Sequence, residues 1–215
     1  DMRPLVLAPL LALLAWPLVL ASGSSSATWV TLTVAGLAMG MIIFVIASGL
    51  TLVFGLMDVL NFGHGVFIAL GAFVATSVMA GMSDAVGAPS LPANLLAVFA
   101  AMGVAMAVAA AIGLAFERFI VRPVYGQHLK QILITMGGMI MGEELIKVVW
   151  GPQQIPLPLP EGLRGAWLWG DAAVEKYRVL AVVVGLVVFA LLGYVLNRTK
   201  IGLLIRAGVQ DREMV

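Results

Sequence analysis

The chain has 215 residues, of which 62% are hydrophobic and only 11% are charged, and its mean hydropathy is +1.09. Soluble domains carry about 25% charged residues, so this chain has too few charges for a water-soluble globule or for a disordered chain. The net charge of +1 gives no basic surface for nucleic acid, and the absence of cysteine excludes disulfides, thiol catalysis and cysteine-bound metal.

Six apolar stretches follow one another along the chain, and the only charged residues within them are Glu143, Glu144 and Lys147. A helix needs about 20 apolar residues to cross a hydrocarbon layer about 30 Å thick. The pattern therefore predicts an all-α polytopic membrane protein with about six transmembrane helices. We place them at residues 5–21, 29–54, 63–82, 93–116, 131–150 and 179–197, in a single transmembrane domain that covers residues 1–215.

The first stretch admits a second interpretation. Arg3, an apolar run and the small residues at 21–23 also fit a secretory signal peptide. Pro9 and Pro17 are unfavourable inside a straight helix. We expect a retained span at residues 5–21, and a cleaved signal is the alternative.

Lysine and arginine set the expected orientation. They are concentrated in residues 117–130 and in the tail after residue 197, whereas residues 22–28 and 83–92 carry none. The positive-inside rule then places both chain ends in the cytoplasm and residues 151–178 outside. Because Trp167 and Trp169 alternate with Leu168, this proline-containing external segment is expected to hold a short strand or an interfacial patch. It would either rest on the outer membrane face or dock an external partner.

Small residues recur every four positions in several spans. The fourth has such a ridge at Ala93, Ala97, Ala101, Ala105, Ala109 and Gly113, and shorter pairs occur at Gly36 and Gly40 and at Gly138 and Gly142. Small residues at this spacing let helices approach closely in lipid. We expect them to pack helices within this chain; a face for a second membrane subunit is the alternative.

A break separates the second and third spans. Residues 55–65 interrupt an apolar run with an acid, an amide, an imidazole and several glycines. Non-helical backbone at membrane depth is tolerated where it lines a cavity, and broken helices mark substrate sites in many transporters. We therefore assign the substrate pathway to Asn61, Phe62, Gly63, His64 and Gly65. The alternative is a tight cytoplasmic turn in which Asp58 and Asn61 cap the third helix, and the two interpretations are compatible.

The remaining polar residues give no sign of catalysis. Neither histidine has a cluster of acids at metal-ligand spacing, so we expect no metal site and a hydrogen-bonded, packed His64. Glu143, Glu144 and Lys147 are expected to form an ion pair near the membrane surface, with Trp150 as an anchor; a charged mouth of a pathway is the alternative. There is no P-loop motif, and no catalytic constellation can be argued from spacing.

Several motifs resemble one family. Residues 49–55 read G-L-T-L-V-F-G, residues 61–65 read N-F-G-H-G, and residues 70–72 read L-G-A. These resemble the N-terminal half of the Liv-type permeases, the membrane subunits of ABC importers for branched-chain amino acids. Gly63 stands where the family usually has alanine, and Phe73 where it has tyrosine. The segments around 117–123 and 198–213 also resemble the family's E-R…R-P and R-T-R-x-G…R-A…D-x-E runs, and the chain looks closer to LivH-like than to LivM-like subunits.

The resemblance implies a transport subunit of the bacterial inner membrane. Its partners would be a second permease, two ATPase subunits that bind the ATP, and a periplasmic solute-binding protein; no cofactor is expected in this chain. The residues expected to contact the ATPase are Arg206, Gln210, Asp211, Arg212 and Glu213. Family members continue for several spans beyond this loop, so we expect a C-terminally truncated chain.

Rival functions share the same hydropathy. An ion-coupled secondary transporter or channel would need no ATPase, and an ABC permease for urea or short amides would differ in solute. An intramembrane enzyme using Asp58, His64 or Glu143 would change its substrate chemically, but no reaction-specific motif supports it. The identity of the solute and the pairing of the permease subunits stay open.

Overall fold

The computed structural model describes residues 3–21, 23, 25–57, 61–200 and 202–203. The helices in these residues are α1 (Arg3–Ala21), α2 (Ser26–Met57), α3 (His64–Gly81), α4 (Ser83–Val86), α5 (Leu91–Phe116), α6 (His128–Trp150) and α7 (Lys176–Arg198). A π-helical turn (Glu117–Val121) and a 3-10 turn (Arg122–Val124) continue α5. Another 3-10 turn (Glu161–Leu163) and strands β1 (Ala166–Trp169) and β2 (Ala172–Glu175) precede α7.

The predicted all-α membrane architecture is confirmed. Within the described residues, four helical segments have the length and composition to cross a membrane: Ser26–Gly55, His64–Gly81, Leu91–Val124 and Lys176–Arg198. The expected spans at 5–21 and 131–150 coincide with helices α1 and α6. As membrane crossings these two stay predictions, and with them the number six.

The helices keep most of their apolar surface exposed. Leu13, Leu96 and Val148 are among many large aliphatic side chains that face outward, and few of the described residues are buried. A helix that is apolar all round is stable only inside protein or lipid. This surface therefore suits a hydrocarbon solvent.

Contacts divide the chain into two compact units, of which the first comprises the chain up to residue 45 and residues 164–193. Here Trp16 and Trp29 join α1 to α2 edge-on at 4.9 Å between ring centroids. Gly185 of α7 is buried, and a Cβ there would lie 2.5 Å from the Cβ of Met41, so the glycine permits close contact with α2. Between α1 and α2 lies an apolar groove of about 580 Å³ that Gly36 and Gly40 help to line.

The strand predicted around Trp167 is present in this first unit. β1 and β2 form an antiparallel hairpin in which Trp167 faces Val174 and Trp169 faces Ala172. Gly170 begins the two-residue turn with a φ of +60°, a conformation that favours glycine. The predicted strand is thus one half of a short hairpin that leads into α7.

The second unit comprises residues 46–163 and the chain from residue 194. Its core lies where α3 and α5 pack, around Met79, Val86, Ala97 and Ala101. The predicted alanine ridge is the face that α5 buries, since Ala97, Ala101 and Ala105 are at most 7% exposed. The expectation that this ridge packs helices within the chain is confirmed for these three residues.

Several helices extend beyond the predicted spans. α2 continues through Gly55, where the break was expected to begin, to Met57, and α6 begins at His128, three residues before the expected span. α7 begins at Lys176, within the predicted external segment. Hydropathy detects the apolar part of a helix, whereas backbone hydrogen bonds extend the helix into polar surroundings, and one internal glycine costs only about 1 kcal/mol.

Candidate functional site

A tight turn at Asn61–Gly63 leads into α3. The Oδ1 atom of Asn61 accepts the N–H of Gly63 at 2.9 Å, and the N–H of His64 donates to the carbonyl of Asn61 at 3.2 Å. Gly63 is buried, and a Cβ on it would lie 3.1 Å from Asn61 Oδ1. The predicted cap by Asn61 is wrong in detail, because Asn61 binds the residue before the helix and no described side chain caps α3. Asp58 lies outside the described residues.

Among the described residues, no side chain closes the N-terminus of α3, which we call open in this sense. Val66 and Phe67 donate their N–H groups to the carbonyl of Gly63 at 3.0 and 3.4 Å, but the N–H of Gly65 has no backbone acceptor in the described part of the chain. Gly65 is exposed. Free N–H groups and the helix dipole together favour a negative charge at this point.

His64 fastens α3 to α2. Its Nε2 lies 3.3 Å from the carbonyl oxygen of Ile46, so a proton on Nε2 would be donated to that oxygen. A Cβ on Gly49 would lie 3.2 Å from Cε1 of the ring, so the glycine leaves space for the imidazole. The expected role of His64 as a hydrogen-bonded packing residue is confirmed by this contact.

Helices α5 and α6 form the other side of the break. Gly63 lies close to α6, because a Cβ on Gly63 would be 3.8 Å from the carbonyl oxygen of Thr135. Further along α6, Gly142 lies against Val66, where a Cβ would be 2.5 Å from Cγ1 of the valine. The aromatic rings of Phe67 and Phe116 meet edge-on at 5.6 Å, which makes the surroundings of the break apolar.

These contacts place the turn within the depth of the helix bundle. Thr135 is seven residues into α6, which corresponds to about 10 Å from the start of that helix. Met57 is eight residues beyond Gly49, so α2 extends about 12 Å past the level of His64. At the other end, Trp150 Nε1 donates to Ser77 Oγ at 2.8 Å, so α3 and α6 run in the same direction. α3 therefore begins about two helical turns inside its neighbours.

Two neutral polar residues near this level were not predicted. Gln131 is 3% exposed and Thr135 is completely buried. Thr135 donates its hydroxyl to the carbonyl of Gln131 at 2.8 Å, whereas Oε1 of Gln131 is buried and has no hydrogen-bond partner among the described residues. The pattern of charges could not indicate these residues, because they carry none. The presence of an amide within an apolar run is the signal that could have indicated Gln131.

Asn94 was missed for the same reason. It is fully buried at the start of α5, and its Nδ2 donates to the carbonyls of Ala85 at 2.7 Å and Ala88 at 3.0 Å. Its Oδ1 accepts the N–H of Gly162 at 2.6 Å. Asn94 thereby ties the connection after α6 to the start of α5.

The other predicted site residues are spread apart. Phe62, the middle residue of the turn at Asn61–Gly63, is 47% exposed. The expected ion pair forms between Lys147 and Glu144 at 2.7 Å, with both side chains about half exposed. Lys147 is twelve residues beyond Thr135 in α6, about 18 Å along the helix, so this ion pair is remote from the turn before α3. Arg206, Gln210, Asp211, Arg212 and Glu213 lie outside the described residues, as does any contact they make.

No group of three or more histidine or acidic side chains able to hold a metal ion occurs in the part of the chain that the structure describes. The site offers backbone N–H groups, an amide, an imidazole and apolar side chains. Such a set can bind and orient a solute, and among its described residues it contains no nucleophile with a neighbouring base.

These features define a class: a polytopic α-helical membrane protein in which one helix, α3, begins about 10 Å inside the ends of its neighbours. Residues 32–215 match the family described as the permease component of the branched-chain amino acid transport system. The chain belongs to this family, which confirms the resemblance drawn from its motifs.

Curated relatives agree with this assignment. The chain is 30% identical over 190 residues to the high-affinity branched-chain amino acid transport system permease protein BraD of Pseudomonas aeruginosa. It is 25% identical over 185 residues to the corresponding LivH proteins of Salmonella typhimurium and Escherichia coli K12. These matches cover 83% of this chain and 58% of each relative, so the chain spans little more than half their length. No solved structure gives a significant match.

Proposed function

We propose that this chain is a membrane-spanning permease subunit of an ATP-driven ABC importer, and that it carries branched-chain or related amino acids across the bacterial inner membrane. The observation that carries the proposal is the open N-terminus of α3, which begins about 10 Å inside its neighbours. The family match supports the transport role.

The proposed pathway passes the turn formed by Asn61, Phe62, Gly63, His64 and Gly65. A solute carboxylate would accept the free N–H of Gly65, where the helix dipole favours negative charge. Phe67, Phe116 and Val66 line the surroundings and suit an aliphatic side chain. His64 acts as a positioning residue that holds the helix end against α2.

Energy would come from other subunits. The chain has no P-loop, so ATP would be bound by two partner ATPases, to which Arg206, Gln210, Asp211, Arg212 and Glu213 would dock. A second permease subunit would complete the path, and a periplasmic binding protein would deliver the solute. The curated relatives, whose names place them in a transport system for branched-chain amino acids, support this arrangement.

The test is reconstitution of the full-length protein with the proteins that co-purify with it in mild detergent. Uptake of radiolabelled leucine into vesicles is measured with ATP, with a non-hydrolysable ATP analogue, and with an imposed proton or sodium gradient. Urea and acetamide serve as competing solutes. We expect co-purification of an ATPase and leucine uptake that requires ATP hydrolysis.

Other outcomes would contradict specific parts of the proposal. Uptake driven by an ion gradient without nucleotide would identify a secondary transporter. ATP-dependent uptake that urea abolishes and leucine leaves unchanged would retain the importer and overturn the amino-acid assignment.

A further inference from the structure

The hairpin before α7 has no polar face. Its register places Trp167, Trp169, Val174 and Ala172 on one face, and Ala166, Leu168, Ala173 and Glu175 on the other. In a hairpin at the surface of a soluble protein, one face is normally polar. Here the polar side chains are confined to Asp171 in the turn and Glu175 at the base.

The largest apolar side chains of the hairpin are exposed. Trp167 is 48% exposed, Leu168 74% and Trp169 70%, whereas the small partners Ala172 and Val174 are buried. An isolated two-stranded hairpin is only marginally stable in water. Three large apolar residues at one site therefore require an apolar or interfacial medium around them.

The hairpin also lies directly at the end of a membrane-spanning helix. β2 ends at Glu175 and α7 begins at Lys176, whose N–H donates to the carbonyl of Gly165 at 3.2 Å and so ties the hairpin base to the helix. With 23 residues, α7 is about 34 Å long, slightly more than the hydrocarbon thickness of about 30 Å. Tyr177 in its first turn is 41% exposed, as expected for a residue at the membrane surface.

We propose that Trp167, Leu168 and Trp169 are immersed in the interfacial layer of the lipid bilayer, where they anchor the N-terminal end of α7. The partner is lipid, because the exposed Trp167 and Trp169 lie on one face and the exposed Leu168 on the other, and immersion reaches all three, whereas a protein docked on one face would not. Indole rings prefer this layer, in which the ring is apolar and the N–H is hydrated. The layer is polar enough to keep the carboxylate of Asp171 hydrated, and Arg178, 2.6 Å from Glu175, neutralises the acid at the hairpin base.

Residues 1–215 contain no cysteine, which permits a direct test of depth once any cysteine outside them has been replaced by serine. Leu168→Cys and Ala173→Cys, on the same face of the two strands, are spin-labelled in the full-length protein. The protein is reconstituted in phosphatidylethanolamine–phosphatidylglycerol vesicles. Paramagnetic relaxation by oxygen, which partitions into lipid, is compared with relaxation by a water-soluble nickel chelate. Val187→Cys in the middle of α7 is the immersed reference, and Gln153→Cys in the connection after α6 is the aqueous reference.

We expect nickel collisions at positions 168 and 173 to be several-fold fewer than at Gln153, and oxygen collisions to be more frequent, with values between those of the two references. Collision rates equal to those at Gln153 would place the hairpin in water. Low rates for both reagents, together with an immobilised label, would show that protein covers the hairpin. Either of these results overturns the proposal, and two labelled positions guard against a local disturbance by one label.

Discussion

Asn94 is the residue whose loss should cost the most stability. From a fully buried position, its side chain donates to the carbonyls of Ala85 in α4 and Ala88 just after α4, and it accepts the N–H of Gly162. Because each buried polar group left unpaired costs about 1–3 kcal/mol, Asn94→Ala should destabilise the protein by about 2–4 kcal/mol. Thermal unfolding in detergent measures this, with the exposed Gln153→Ala as the control. An unchanged melting temperature would contradict the tie between α5 and the segment at Gly162.

The same residue provides a finer test. Asn94→Asp keeps an oxygen to accept the Gly162 N–H and loses both donors to the carbonyls of Ala85 and Ala88. It also places an acid in a fully buried position. We expect the melting temperature of Asn94→Asp to be as low as that of Asn94→Ala. A melting temperature like that of the parent protein would show that the donated bonds contribute nothing.

The stability of the folded protein should depend on the protonation of Tyr125 at high pH. Partial burial, together with the hydrogen bond that Tyr125 donates to Glu117 at 2.6 Å, raises the pKa of Tyr125 from 10.0 to about 12. The folded protein therefore holds this proton more tightly than the unfolded chain does. The resulting contribution to stability is complete below pH 10 and is lost as pH rises towards about 12.

Tyrosinate absorbance should reveal this proton. The parent protein should show a titration step near pH 12 that Tyr125→Phe lacks and Tyr194→Phe retains. Glu117→Gln should shift the same step to lower pH, because it removes a negative charge beside the phenol. A step that survives in Tyr125→Phe would show that another group is responsible.

At the scale of elements, the glycines of the two predicted pairs differ in whether a neighbouring helix packs against them. A Cβ on Gly138 would collide with the ring of Phe116, and one on Gly142 would lie 2.5 Å from Val66, whereas Gly36 and Gly40 have no described atom within 4 Å of such a Cβ. Gly138→Ala and Gly142→Ala should each cost about 1–3 kcal/mol through overpacking. Gly36→Ala and Gly40→Ala should leave the melting temperature unchanged or slightly higher. Equal effects at all four positions would contradict the packing of α3, α5 and α6.

From the sequence, the positions of the helices and of the strand could be predicted, but the contacts between these elements could not. Gaps between charges located the helices because a span must be apolar, and the alternation of Trp167, Leu168 and Trp169 indicated the strand. The glycine pairs looked alike in sequence, yet one pair is packed and the other lies open along a groove, because contact depends on the neighbouring helix. The burial of Asn94 could not be predicted for a similar reason, since its partners are 6–68 residues away.

At the scale of the molecule, the break before α3 was predictable but its depth was not. The polar and glycine-rich run at residues 55–65 indicated an interruption between two spans. That the interruption lies about 10 Å inside the ends of its neighbours follows from the contacts of Gly63 with Thr135 in α6 and of His64 with Gly49 in α2. The proposed role of the turn in transport depends on this depth.

The most direct measurement compares solute uptake by Asn61→Asp and Ser25→Asp in the reconstituted complex. Asn61→Asp retains an oxygen for the Gly63 N–H and adds a negative charge at the open end of α3, whereas Ser25→Asp adds the same charge before α2, where Ser25 Oγ accepts the Thr28 N–H. Like charges about 6 Å apart repel by ~3 kcal/mol at an effective dielectric constant of about 20. Asn61→Asp should therefore raise the half-saturating concentration of leucine by about tenfold or more, with normal folding, and Ser25→Asp should not change it. Unaltered uptake by folded Asn61→Asp would contradict the assignment of the pathway to this turn.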